Sequence, residues 1–304
     1  MSETTESLMV FHLGKYVPAA QAMVSVNCLA MRYALSVFEG IRGYLQEDGH
    51  VRTFMLNEHL LRLKWSLRLM GLPDPGVNKI PEIINELLQK NGLQEDVYIR
   101  PSVHAINQGD LNVQPVSGMT VNISRMGRKK WLNGTKGMRA TISSIRKLPH
   151  DAFPSMAKCI AAYANSFVAS NLARANGFDV PLLLNHAGYV SEAPTAALLT
   201  VRRGALVHAP LSDGVLPSVT AHVLCELAKQ FSIPVREQHM RPEDVITSDE
   251  ALLCGTGLEM AGIESLDGHE IGDFAQRPVT KCLVDAYFSL VRGKTEFVGA
   301  DYGF

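Results

Sequence analysis

A lysine surrounded by small and apolar residues is the first candidate for chemistry in this chain. Lys158 lies in the stretch PSMAKCIAAY at 154–163, and this pattern predicts a helix that the lysine opens and Gly177 ends. An amine shielded from water loses its proton more readily and can then form a Schiff base with an aldehyde. A lysine at a helix start can equally extend its ammonium to the surface, so the residue types alone leave both interpretations open.

Two short stretches further along the chain have the groups that bind a phosphate monoester. The sequence SVT at 218–220 precedes a predicted helix at 221–231, and free amides at a helix start attract anions. The sequence GTG at 255–257 follows a predicted strand and offers similar groups on a turn. A dinucleotide fingerprint would place a further glycine where Met260 stands, so nicotinamide binding is not indicated. Each stretch alone could be an ordinary cap or turn.

Composition narrows the class of protein. The chain has 304 residues, of which 46% are hydrophobic and 19% charged, and its net charge is −1. A near-neutral chain of this length can form one large or two medium domains, and it favours neither nucleic acid nor an anionic membrane as a partner. The five cysteines are widely spaced, without a Cys-x-x-Cys motif, and no histidine pair has metal-binding spacing. The acidic start at 1–6 is unlike a signal peptide. We therefore expect a cytoplasmic protein with no metal site.

The hydrophobic pattern predicts two domains. The first part combines short strands with helices at 59–70 and 80–93, and the second part alternates strands and helices. Between them, a basic segment with several glycines has no periodicity. We predict a small α+β domain at 1–124, an interdomain loop at 125–135 and a larger cofactor-binding domain at 136–304. The fold class is α/β in a two-domain, α+β arrangement.

Six motifs, taken together and in order, resemble the fold-type IV pyridoxal-phosphate enzymes. The closest resemblance within them is to the branched-chain amino-acid aminotransferases, and it covers about residues 10–293. The motifs are SVFEGIR at 36–42, YIRP at 98–101, PSMAK at 154–158, GYVSE at 188–192, LPSVT at 216–220 and GT at 255–256.

The resemblance implies a role for each matched residue at the cofactor. Lys158 would form the Schiff base with pyridoxal 5′-phosphate and then carry the proton, and Tyr163 would hydrogen-bond the phenolate oxygen of the cofactor. Glu192 would keep the pyridine nitrogen protonated so that the ring accepts carbanion charge. Arg62 would reach the phosphate. The other implied cofactor residues are Leu216, Val219, Thr220 and Thr256.

On the substrate side, the resemblance implies Arg42 and Arg100 as carboxylate-binding groups, because a planar guanidinium holds a carboxylate with two hydrogen bonds. Phe38 would belong to the apolar wall, with Tyr33 and Trp131 as further candidates. The implied activity is transfer of an amino group between an L-amino acid, branched-chain or similarly apolar, and a 2-oxo acid. The family arrangement also implies at least a homodimer.

The chain departs from the family pattern near the expected cofactor. Ala197, Leu198 and Leu199 stand where an asparagine and then an aromatic residue are usual, and Ala221 stands where the pattern has arginine. Arg32 and Ala34 flank Tyr33 in place of the usual histidine and glycine. These departures leave three alternatives open: an eliminating lyase, a D-amino-acid aminotransferase, or a cofactor-binding pseudoenzyme with a regulatory role.

Overall fold

The computed structural model describes residues 8–128, 131, 136–300 and 302. The acidic start at 1–6 and positions 129, 130 and 132–135 of the predicted interdomain loop lie outside the described residues. The chain divides into two compact units. The first comprises Met1–Gly127 with Ala157–Ala161, and the second comprises Arg128–Met156 with Ala162–Phe304.

The first unit contains an antiparallel sheet of seven strands in the order β2-β1-β7-β6-β4-β5, with β3 also paired to β6. Its longest strands, β6 and β7, pair in an unbroken register from Val97↔Arg125 to Ala105↔Ser117. The strands are β1 (Met9–His12), β2 (Lys15–Pro18), β3 (Ser36–Phe38), β4 (Ile41–Leu45), β5 (Val51–Thr53), β6 (Val97–Ala105) and β7 (Ser117–Arg125).

Three helices accompany this sheet: α1 (Leu29–Tyr33), α2 (Leu56–Leu69) and α3 (Ile80–Lys90). Helix α2 begins three residues before the predicted start, and α3 ends three residues before the predicted end. The chain leaves α3 at Gly92, whose φ of +58° is a conformation that glycine adopts without strain. The apolar face of α3 is buried and packs against β1 and β7, which explains its strong amphipathic pattern.

The second unit contains a mixed sheet of eight strands in the order β12-β11-β10-β13-β14-β8-β9, with β15 on β14. Three pairs are parallel, namely β11 with β12, β14 with β8, and β8 with β9. The strands are β8 (Met138–Ile142), β9 (Val180–Leu182), β10 (Ala197–Arg202), β11 (Ala205–His208), β12 (Val235–Glu237), β13 (Glu250–Gly255), β14 (Glu259–Leu266) and β15 (His269–Glu270). The mixture of sheets and helices confirms the predicted fold class.

Four further helices follow in the chain: α4 (Ile160–Ala175), α5 (Val219–Gln230), α6 (Pro242–Ile246) and α7 (Pro278–Val291). The prediction that Lys158 opens α4 was wrong by two residues. The lysine lies in an extended segment beside β3, where its carbonyl accepts from Phe38 N at 3.0 Å and Cys159 forms a bridge with Val37. The predicted exit at Gly177 is confirmed, with φ of +80°.

The core of the second unit is formed by apolar side chains from strands across its sheet, among them Leu182, Leu198, Leu253 and Ile263. All five cysteines are free thiols. Within the described part of the chain, none of the helices has both the length and the apolar character needed to cross a membrane.

Candidate active site

A buried ionic cluster in the first unit surrounds the carboxylate of Glu39, which has no exposed surface. Arg62 donates to it through two nitrogens, from Nε to Oε1 at 2.7 Å and from Nη2 to Oε2 at 2.8 Å. His59 Nδ1 lies 2.8 Å from the same Oε2. The two-pronged guanidinium contact fixes both groups in one plane. Arg62 is therefore a buried, paired residue and not a solvated one on the helix surface.

The local sequence explains why these groups meet. Glu39 directly follows β3, and its backbone N–H donates to Pro101 O at 2.9 Å, which holds the residue beside β6. His59 and Arg62 are three positions apart on α2 and therefore share one helix face. A side chain at position 40 would overlap the Tyr98 hydroxyl, so the turn after Glu39 has room only for glycine.

The cluster is electrostatically balanced around an ionised carboxylate. Burial raises the pKa of Glu39, but the charge and hydrogen bonds of Arg62, helped by His59, outweigh burial and hold the pKa far below its ordinary value. Burial lowers the pKa of His59, and the hydrogen bond to Glu39 only partly opposes this. At neutral pH, His59 is thus uncharged and donates its Nδ1 proton to Glu39.

Lys158 belongs to the same unit and is anchored to α2. Its backbone N–H donates to Ser66 Oγ at 2.9 Å, and the Ser66 hydroxyl in turn donates to Arg62 O at 2.9 Å. The Lys158 ammonium lies 4.9 Å from the ring centroid of Phe38, and the Arg100 guanidinium lies 3.8 Å from the same centroid. Four sequence-predicted residues, Lys158, Arg62, Phe38 and Arg100, are therefore brought together within the first unit.

Arg42, the second predicted carboxylate-binding arginine, is much more deeply buried, with 1% of its surface exposed. Its Nη2 lies 3.9 Å from Asp96 Oδ2 and 3.4 Å from Gly127 O, and its guanidinium lies 5.2 Å from the Tyr44 ring. Arg100, which is half-buried, presents more of its surface than Arg42 does. Trp131 packs against the hydrophobic core of the second unit.

In the second unit, the predicted pyridine-facing residue Glu192 is buried, with 7% of its surface exposed. Its Oε2 accepts from the backbone N–H of Leu216 at 3.1 Å, and its Oε1 accepts from the ammonium of Lys147. Lys147 is a residue that the sequence reasoning missed. The two residues are 45 positions apart, and no motif in the sequence links them.

The other predicted cofactor residues of this unit lie at element ends. Val219 and Thr220 are the first residues of α5, so their N–H groups have no acceptor within the helix. Ser218 caps the helix by accepting from Ala221 N at 3.2 Å. Thr256 follows β13, and Tyr163 lies half-buried in the first turn of α4.

Ala197 and Ala221, two of the residues that depart from the family pattern, line the same cavity. This cavity, about 290 Å³ in volume, lies in the second unit beside β10, β11 and α5, and its wall includes Ala197, Leu199, Leu216 and Ala221. Ser191, the residue before Glu192, also lines it. The missing polar side chains thus leave open space next to the residue whose amide holds the Glu192 carboxylate.

These residues fit a cofactor that carries both a phosphate and a basic ring nitrogen. The N-terminal amides of α5 suit the phosphate, and the buried carboxyl group of Glu192 suits a protonated nitrogen. Among the described residues, no three histidine, cysteine, aspartate or glutamate side chains are grouped as a metal site would need.

The comparison with known families agrees with this geometry. The family described as "Amino-transferase class IV" matches residues 36–266, which is most of the chain. The chain therefore belongs to the class IV aminotransferases, and its activity is transamination dependent on pyridoxal phosphate. The resemblance inferred from the six motifs is confirmed.

Individual relatives match over nearly their whole length. The chain is 31% identical to a probable branched-chain-amino-acid aminotransferase of Aquifex aeolicus, with 94% of this chain and 93% of that protein covered. It is similar in structure to the branched-chain aminotransferase of Thermoproteus uzoniensis with norvaline, at a TM-score of 0.90 and 31% identity over 95% of this chain and 96% of that one. The PLP-form of the Thermobaculum terrenum enzyme gives a TM-score of 0.89 at 29% identity, with 96% of each chain covered.

Proposed function

We propose that the chain moves the amino group of an L-branched-chain amino acid, or a similarly apolar one, to a 2-oxo acid. The observation that carries this proposal is the ring of Phe38, which has the Lys158 amine and the Arg100 guanidinium at 4.9 and 3.8 Å from its centroid. An apolar surface beside a cation suits a substrate with an aliphatic side chain and a carboxylate. The names of the relatives at 31% identity support the same substrate class.

The proposed cofactor-binding roles are those that the family resemblance implies. Arg62, Val219, Thr220 and Thr256 would hold the phosphate, Tyr163 the phenolate oxygen and Glu192 the pyridine nitrogen, while Leu216 would pack on the ring. Glu39 supports this assignment for Arg62, because its carboxylate fixes the guanidinium plane through two hydrogen bonds.

The chemistry divides between the cofactor and the protein. When bound, pyridoxal phosphate supplies the electron-accepting ring that allows an amino acid to lose its α-proton. The Lys158 amine takes that proton and returns one later in the half-reaction. Arg100 and the less exposed Arg42 are the proposed groups that orient the substrate carboxylate, and Phe38 excludes water from the aliphatic side chain.

Two further proposals concern the setting of the enzyme. The family resemblance implies at least a homodimer, whose mass in solution can be measured directly. A cytoplasmic location is consistent with five free thiols, four of them buried, because secreted proteins more often pair their cysteines.

The test is a spectroscopic panel on the cofactor-loaded protein. L-leucine, L-isoleucine and L-valine should convert the bound cofactor to its amine form, while D-leucine and L-aspartate should convert it at least about a hundredfold more slowly, as about 2.7 kcal/mol of discrimination requires. Preference for D-leucine would instead identify a D-amino-acid aminotransferase. A protein that binds the cofactor but converts it with none of these donors would be a pseudoenzyme.

A further inference from the structure

In the second unit, the backbones of Lys147 and Glu192 are both hydrogen-bonded to the short segment formed by Leu183 and Leu184. Lys147 N donates to Leu184 O at 2.9 Å, and Leu183 N donates to Glu192 O at 3.0 Å. Ser191 N also donates to Leu183 O at 2.8 Å. Main-chain hydrogen bonds to neighbouring residues, Leu183 and Leu184, therefore hold the backbones of both members of the ion pair.

The surroundings make this ion pair stronger than a surface pair. The side chains of Lys147 and Glu192 are only 15% and 10% exposed. Breaking a buried pair by removing one partner leaves an uncompensated charge and is costly, whereas exposed pairs contribute little.

We infer that Lys147 is a positioning residue for Glu192 that acts as its internal counter-ion and competes with the cofactor for the carboxylate. This inference rests on the proposed role of Glu192 at the pyridine nitrogen. The carboxylate has one oxygen held by Leu216 N and the other by the Lys147 ammonium. A protonated pyridine nitrogen that binds Glu192 must therefore share it with an existing cation, which repels the new charge.

Competition between Lys147 and the cofactor for the Glu192 carboxylate lowers the affinity for the cofactor, while the ion pair orders the empty site. In the cofactor-free protein, the Lys147 ammonium and the Leu216 amide hold the buried Glu192 carboxylate in place. Removing the charge of Lys147 raises the free energy of the cofactor-free state and leaves Glu192 available to the pyridine nitrogen, so binding should tighten. Removing a positive charge near a site that binds a phosphate ester would ordinarily weaken binding, because the charge attracts the phosphate.

The first measurement is calorimetric titration with pyridoxamine 5′-phosphate, which binds without a covalent bond to lysine. We expect Lys147→Met to bind it about tenfold more tightly than wild type, and Lys147→Arg to bind it like wild type. The gain should disappear when Glu192→Gln is added to Lys147→Met. Inorganic phosphate, which lacks the ring nitrogen, should bind all these variants equally. Unchanged or weaker binding of pyridoxamine 5′-phosphate by Lys147→Met would overturn the inference.

The matched control is Lys90→Met, because Lys90 also pairs with a glutamate, Glu86, but is 43% exposed. It should leave the affinity unchanged.

If Lys147→Met does not fold, Lys147→Gln removes the charge and keeps a hydrogen bond to Glu192. A double-mutant cycle on Lys147 and Glu192, measured by urea unfolding without cofactor, tests the ion pair alone, and a coupling within error of zero would also overturn the inference. Failure of wild type to bind pyridoxamine 5′-phosphate would instead contradict the proposed function.

Discussion

Lys158 is connected to the buried ionic cluster through the hydroxyl of Ser66. The Lys158 backbone N–H donates to Ser66 Oγ at 2.9 Å, and the same hydroxyl donates to the carbonyl of Arg62 at 2.9 Å. Arg62 is in turn fixed by Glu39. One short chain of hydrogen bonds therefore sets the backbone position of the proposed catalytic lysine relative to the proposed phosphate-binding arginine.

Replacing Ser66 with alanine should weaken this connection without changing any charge. The Lys158 amide would lose its acceptor, so we expect a loss of about 1–3 kcal/mol in the free energy of unfolding and at least a several-fold drop in kcat. Urea unfolding and the rate of L-leucine conversion measure the two effects. Ser170→Ala is the control, since Ser170 Oγ makes the same helical bond to Ser166 O at 2.9 Å. Equal effects of the two substitutions on kcat would contradict this account.

The Glu39 carboxylate should be far more important to stability than a surface carboxylate with similar contacts. Glu39→Gln leaves Arg62 buried without its counter-ion, and the expected cost is about 3–5 kcal/mol. The comparison is Glu95→Gln, which breaks an exposed pair with Arg125 at 2.8 Å and should cost no more than about 1 kcal/mol. Denaturant unfolding of both variants measures the two costs. A cost of about 1 kcal/mol or less for Glu39→Gln would contradict the conclusion that the Glu39 carboxylate compensates the buried charge of Arg62.

Two histidines should make the protein less stable in acid. Burial, with the nearby charges of His12 and Arg100, lowers the pKa of His104 to about 4, and burial also lowers the pKa of His59. In the unfolded chain these two histidines bind protons below a pH of about 6.5, whereas in the folded chain they bind protons only at a lower pH. The contribution of the two neutral histidines to the free energy of unfolding is therefore fully present above a pH of about 6.5 and is lost as the pH drops towards about 4. For His104 the loss is at most on the order of 3 kcal/mol.

The measurement is the free energy of unfolding between pH 7.5 and 4.5, about the range over which the shifted groups titrate. His104→Asn should reduce the slope, because the titrating group is gone, while His50→Asn at an exposed position should not. A slope that is the same in wild type and His104→Asn would show that His104 does not contribute.

Restoring the family residue at position 197 tests the role of the cavity. Asparagine in place of Ala197 would fill part of the space that Ala221 and Leu216 also line, and it would add a hydrogen-bonding group to the cavity that Ser191, the neighbour of Glu192 in sequence, lines. We expect slower cofactor dissociation by up to about tenfold, or a shift of the donor profile towards leucine, isoleucine and valine. Ala175→Asn on an exposed helix face serves as the control. If neither property changes, the alanine is neutral for function.

Local patterns were sufficient to predict much of the fold. The β10–β11 hairpin and helix α5 follow from turn residues and apolar spacing, which act over a few positions. Strand β14 was not predicted, since its first five residues are all buried and show no alternation of apolar and polar residues. Helix α1 is only five residues long, too short to show a period.

The candidate site likewise contains residues that the sequence identifies and residues that it does not. Lys158 and Glu192 carry motifs that the family resemblance identifies, but their supporting partners do not. Glu39 meets Arg62 across 23 positions and Lys147 meets Glu192 across 45, and such pairings depend on the tertiary fold and not on spacing in the sequence. The proposed roles of the site residues stay predictions until they are measured.

The most direct test of the central claim is a single-turnover absorbance measurement on Lys158→Ala loaded with pyridoxal phosphate. The account predicts that L-leucine converts the cofactor in wild type and that the variant loses at least about a thousandfold in rate, as expected when nucleophile and proton carrier are removed together. The denaturation midpoint of the variant should stay close to that of wild type. Conversion by folded Lys158→Ala at a rate near that of wild type would contradict the account.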